Sequence, residues 1–287
     1  MKAYLAIIGK LRWLGFAGFT CFIFKQANLA WFFIFFLLLF FHPLNARSLA
    51  LGIGTVYAGI AHLGRVPSKD NYTCKGNYIL PFIGKWTVAN GSVEKAFSHS
   101  WYLHSQRFAY DFFIMDNEGQ SYSGDVESLG SYYCYGKDVV APADGVVVQL
   151  RNDYKDSRTN GKSTFCDAYD MRGNHIIIKH GDGEYSMIAH LLAGSISVNI
   201  GDMVKQGEII AGCGNSGAST EPHIHFQLQS GKSIFTSVGL PIAFSGLCTQ
   251  KKENYEVFDN RPCEDKLLMI DSKTYISRGF EVENSNG

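Results

Sequence analysis

The chain has 287 residues, enough for one large domain or two small ones. Its 26 basic and 26 acidic residues balance, which argues against nucleic acid as a partner, because phosphate binding needs a net basic surface. The charges are unevenly placed: residues 1–64 hold Lys2, Lys10, Arg12, Lys25 and Arg47 and no acidic residue.

Within that acid-free region, Ala30–Phe41 reads AWFFIFFLLLFF. A membrane-spanning helix needs about 20 apolar residues. Gly15–Phe41 reaches that length, with Lys25, Gln26 and Asn28 as its strongly polar members, and Leu49–Gly64 is a second, weaker candidate. His42-Pro43 marks a turn between them, since proline cannot continue a helix. The region exceeds the apolar core of a signal peptide, about 7–15 residues. It predicts a membrane anchor over 1–65, with one or two transmembrane helices in contact with membrane lipid, and a linker over 66–83.

From Val139 onward the chain reads as short strands with glycine turns. Asp138–Leu150 predicts a hairpin around Ala143-Asp144-Gly145. Asn174–Lys179 and Glu184–Leu191 predict two strands joined by a tight turn, and His223–Leu228 predicts a core strand. With no helical period between them, these point to the all-β class, as an antiparallel β-sandwich or open barrel. Residues 245–287 read as a peripheral C-terminal extension. Cys74, Cys134, Cys166, Cys213, Cys248 and Cys263 permit three disulfides in a domain outside the membrane. Cys213, in an apolar strand, equally reads as a reduced buried thiol. The lack of a CxxC pair argues against a cysteine zinc site.

Three places carry potential chemistry. In Glu221-Pro-His-Ile-His-Phe226, residues i and i+2 of a strand share a face, so His223 and His225 would line one groove. Two imidazoles there can hold a metal, or one can ligate while the other acts as a base; an isolated HxH is more often two surface histidines. His190 ends the strand Ser186–Leu191. Asp111 sits in the aromatic stretch Gln106-Arg-Phe-Ala-Tyr-Asp-Phe-Phe, where a buried carboxylate is costly unless paired or metal-bound. Arg107 is its local ion-pair candidate.

Taken together with Ala141-Pro-Ala-Asp-Gly145, Ala189-His-Leu191, Gly201-Asp-Met-Val-Lys-Gln-Gly207 and Gly214-Asn-Ser-Gly217, these motifs resemble the lysostaphin/LytM-type zinc endopeptidases. The resemblance covers roughly 84–244, which it marks as the peptidase domain. It implies an antiparallel β-sandwich with an open groove (the duplicated-hybrid-motif type) and one zinc ion per domain. By the same resemblance Asp111 and His225 would ligate zinc, while His190 and His223 would flank the activated water and the scissile carbonyl. The substrate implied is peptidoglycan peptide, cut by a membrane-anchored enzyme on the outer side of the cell membrane. The family's usual H-x-x-x-D pattern is absent, because Arg107 stands four residues before Asp111. His99, with His104 second, resembles the first ligand of a branch with a longer interval. If neither binds, the domain would be catalytically silent, binding wall peptide or regulating a partner hydrolase. The Gly201–Gly207 hairpin also resembles biotinyl and lipoyl carriers, but their Met-Lys-Met turn does not occur.

Overall fold

The structure is a computed structural model that describes residues 10–25, 27–41, 43–166 and 169–285. The chain divides into two units, 1–53 and 54–287. In the first, 3-10 helix spans Arg12–Phe19, α-helix Thr20–Phe24, and 3-10 helix again Ala27–Phe41. Lys25 takes the left-handed conformation, φ 51°, so Gly15–Phe41 is not one helix. The helix Pro43–Ala61 starts at its proline, whose missing N–H costs nothing in a first turn; His42 lies outside the described residues. Among the described residues no helix is long and apolar enough to cross a membrane. The expected transmembrane helices therefore find no support among the described residues: the polar break at Lys25 divides the first candidate, and the second lies mostly in a helix that carries Asn45, Arg47 and Ser48.

The second unit carries β1 (Trp86–Asn90), β2 (Tyr110–Phe113), β3 (Asp138–Val140), β4 (Gly145–Arg151), β5 (Phe165–Cys166), β6 (Asn174–Gly181), β7 (Glu184–Leu191), β8 (Met203–Val204) and β9 (Ile209–Gly212). There follow β10 (Ala218–Ser219), β11 (Ile224–Gln229), β12 (Gly239–Leu240), β13 (Phe244–Ser245), β14 (Leu247–Lys251), β15 (Leu268–Ile270), β16 (Lys273–Tyr275) and β17 (Phe280–Asn284). Among the described residues, ten strands form one sheet in the order β14-β17-β1-β2-β11-β7-β6-β4-β8, with β12 beside β11. Its strand pairs are antiparallel, as the all-β reading expected.

Alternation divides the sheet into two faces. Val88, Tyr110, Phe112, Ile176, Ile178, Ile188, Ile224, Phe226 and Leu228 are fully buried in one apolar core. The residues between them point the other way. Across that second face Asn90 pairs with Asp111, Asp111 with His225, His225 with Ala189, and Ala189 with His175. Directly opposed residues in antiparallel strands share a face and lie about 4.5–5.5 Å apart at Cβ. One row of five positions therefore crosses five strands.

The two strands expected over 174–191 form as β6 and β7, turned by Asp182-Gly183 with Gly183 at φ 80°. The expected hairpin over 138–150 does not form. β3 pairs with β9 in a separate two-stranded sheet, while β4 pairs with β6 and β8. Pro142 lies between them and cannot donate to a ladder. Residues 245–287 supply β14 and β17 to the large sheet. Cys74, Cys134, Cys213, Cys248 and Cys263 are thiols. The expectation of three disulfides is corrected by this, and the buried-thiol reading holds for Cys213, which is fully buried.

Candidate functional site

The row of paired residues brings Asp111 and His225 together. His225 Nδ1 lies 2.9 Å from Asp111 Oδ1, and both residues are 8 % exposed. The loop before β2 adds His99, whose Nε2 is 3.6 Å from Asp111 Oδ2. One ligand atom from each of the three lies within 4.8 Å of the others.

Arg107 explains how a loop without an H-x-x-x-D histidine still delivers one. Its Nε donates to Trp101 O, and its guanidinium lies 4.9 Å from the Trp101 ring centre. Ser98 Oγ donates to Arg107 O at 2.8 Å. Arg107 thus braces the loop that carries His99 instead of pairing with Asp111. His104 turns elsewhere: a Cβ on Gly59 would come within 3.3 Å of its ring. Between the two sequence candidates, the structure brings His99 to the cluster and not His104.

His190 and His223 stand beside the trio. Their ring centres are 4.6 Å apart, and His223 Nε2 lies 3.8 Å from Asp111 Oδ1. His223 Nδ1 donates to Glu221 O at 2.8 Å, and His190 Nδ1 donates to Ser216 O at 2.8 Å. A carbonyl oxygen only accepts, so in each ring Nδ1 carries hydrogen and Nε2 is left to act. Phe113 stacks on His223 at 5.0 Å and fixes its plane. His190 reaches this face by a backbone irregularity. The register of β6 and β7 shifts between Asn174 and His175, opposite Leu191 and Ala189, and His190 adopts φ 63°. A bulge of this kind re-aims a side chain.

The charges are interdependent. Burial pushes the Asp111 carboxyl up, but His99, the hydrogen-bonded His225 and His223 outweigh it and hold it well below the usual carboxylate range. Burial pushes His225 down, yet its bond to Asp111 leaves it above the usual imidazole value. Burial lowers His99 and His223, and lowers His190 further with help from its imidazole neighbours. Two imidazoles and one carboxylate around one point, in a buried polar site, fit a catalytic zinc centre. A groove of about 270 Å³ opens over them, lined also by Gln106, Thr164, Arg172, Met187 and Ala218.

Two partners of the trio were not among the residues that the sequence singled out. Asn90 Nδ2 donates to Asp111 Oδ2 at 3.1 Å, and its oxygen is held by Arg261. Gln227 Oε1 faces His225 Nε2 at 3.1 Å. Gln227 was findable, two residues beyond His225 on the same strand face; Asn90 meets Asp111 only across strands. His175 and His180 are structural, donating from Nδ1 to Gly173 O and Asp144 O.

Residues 131–236 match the family model described as Peptidase family M23. That segment contains His190, His223 and His225; His99 and Asp111 precede it. An uncharacterized metalloprotease of Haemophilus influenzae is 32 % identical over 126 residues, covering 42 % of this chain and 22 % of that protein. The peptidoglycan DD-endopeptidase ShyA of Vibrio cholerae is 30 % identical over 135 residues, covering 46 % and 26 %. The chain spans about a quarter of the length of these curated relatives. The catalytic domain of lysostaphin from Staphylococcus simulans is 23 % identical, with 55 % of this chain and 88 % of that one covered, at a TM-score of 0.32. Residues 131–236 are thus similar to peptidase family M23, and the motifs of the chain resemble the lysostaphin/LytM type within it.

Proposed function

We propose that the protein is a zinc metalloendopeptidase that hydrolyses peptide bonds of peptidoglycan, in a cross-bridge or a stem peptide. The convergence of His99, Asp111 and His225 beside His190 and His223 carries this reading. His99, Asp111 and His225 would hold the zinc. Zinc bound there would lower the pKa of a water toward about 7 and polarise the scissile carbonyl. The chain's own residues do the rest. His190 and His223 offer two unprotonated Nε2 atoms at neutral pH, since burial lowers both pKa values. One takes the proton from the attacking water as general base. The pair, once one is protonated, stabilises the oxyanion of the tetrahedral intermediate and returns the proton to the leaving amine.

The relative named as a peptidoglycan DD-endopeptidase supports a wall-peptide substrate. The acid-free, apolar first 64 residues support attachment to the cell membrane; a wall-peptide substrate would put the peptidase domain on the outer side. The silent-domain alternative leans on the missing H-x-x-x-D histidine, and the approach of His99 Nε2 to within 3.6 Å of Asp111 Oδ2 supports the active reading over it.

The deciding measurement is the zinc content and wall-peptide hydrolysis of the full chain beside His225→Ala, His99→Ala and His104→Ala. One zinc per chain is expected in the wild type and in His104→Ala, with zinc and hydrolysis lost in the other two. A wild type that takes up no zinc, even with metal supplied, would sink the reading.

A further inference from the structure

From the candidate ligand His225 a line of side-chain amides runs along β11. His225, Gln227 and Gln229 occupy alternate positions on one face and are buried, the two glutamines to 1 % and 0 % exposure. Gln227 Nε2 donates to Ser105 O at 2.9 Å and to Gln229 Oε1 at 2.6 Å. Gln229 Nε2 donates to Gly231 O at 2.7 Å.

The orientation of this line is forced. Ser105 O and Gly231 O are carbonyls and only accept, so each glutamine must present its nitrogen to them. Gln227 then has only its oxygen for His225, at 3.1 Å from Nε2. An oxygen there accepts, so His225 Nε2 must carry hydrogen; Nδ1, which donates to Asp111 in the metal-free protein, is the atom that would give up its hydrogen and ligate a metal. Nδ1 is the atom that faces Asp111. The second bond of Gln227 reaches Ser105, inside the loop that connects His99 to β2. We infer that Gln227 is a positioning residue with two tasks: it fixes the tautomer of His225 and ties down the long loop that delivers His99. A chain with an extended interval between its first histidine and Asp111 needs such a tie, because a ligand on an untethered loop is ordered only when metal binds, at a cost in affinity.

The inference rests on the zinc-site reading for its metal arm, and the loop arm stands without it. The test compares the full chain with Gln227→Leu and Gln227→Glu. Zinc affinity is read by competition with a chelator, the His225 tautomer by nitrogen NMR of labelled histidine, and loop order by amide exchange over 98–109 in the metal-free protein. Removal of a partner behind a metal ligand typically costs 10–100-fold in affinity. Gln227→Leu is expected to lose about that much and to speed exchange over 98–109 while the core strands stay protected. Gln227→Glu keeps an acceptor for His225 Nε2 but cannot donate to Ser105 O. It is expected to keep the Nε2–H tautomer while its loop exchanges as fast as in Gln227→Leu. Wild-type affinity and wild-type loop exchange in Gln227→Leu would overturn the inference. So would equal damage to the tautomer by both substitutions, or faster exchange spread evenly over the domain. If the wild type itself binds no zinc, the site reading fails, and the exchange measurement still decides the tie.

Discussion

Glu221 precedes the Pro222-His223 entry into β11 and is buried with the Ser121 hydroxyl donating to it at 2.8 Å. Burial pushes its carboxyl up to about 7, and the bond from Ser121 only partly offsets this. A folded pKa above the unfolded one means that the folded state holds its proton more tightly. The resulting stability is full below the unfolded value, near 4.3, and is lost as pH rises through about 7. Glu221→Gln, which never ionises, is therefore expected to be more stable than wild type at pH 8, by about 3 kcal/mol at most, and to match it near pH 4. Thermal unfolding at the two pH values checks this; an equal difference at both would refute it. At this scale His223, His225 and Asp111 were legible, because two-residue spacing and an acid among aromatics are local signals. The route of His190 into the groove was not. It depends on a bulge, and a bulge is a property of two strands.

Elements were legible where their pattern is local. The Ile176-Ile-Ile178 run, the Asp182-Gly183 turn and the alternation of His223–Leu228 announce β6, β7 and β11. β3 escaped because its partner, β9, is remote in sequence, and proximity favoured β4. The loops around the site show the same dependence on distant contacts. Gly173 and Gly217, at φ 60° and 85°, meet backbone to backbone: a Cβ on Gly217 would come within 2.4 Å of Gly173 N. This contact seats Ser216, whose carbonyl accepts from His190 Nδ1. Gly217→Ala is expected to lower stability by about 1–3 kcal/mol or more through backbone strain. It should reduce hydrolysis further than its loss of stability explains, by releasing His190. A melting curve and a rate measured well below the melting point separate the two effects; an unchanged rate would refute the link.

At the scale of the whole molecule, the all-β antiparallel architecture was readable from strand spacing, but the reach of the sheet into the last residues was not. β17 lies between β14 and β1, and the Asn284 side chain bonds Leu80 and Phe82. Ending the chain at 244 would bare the edge of β1, and an unpaired edge strand is a template for aggregation. The shortened protein is expected to be insoluble or to melt well below the full chain, a comparison that solubility and circular dichroism make directly; equal stability would count against β17 as a structural strand. The row Asn90–Asp111–His225–Ala189–His175 belongs to this scale too, since its members are scattered along the sequence and meet only by strand pairing. Synthesis runs from the N-terminus, so the row cannot close until β11 has been made. A copy in which β11 has not yet been made accordingly holds no complete row, and the cluster of His99, Asp111 and His225 comes together only with the folded sheet.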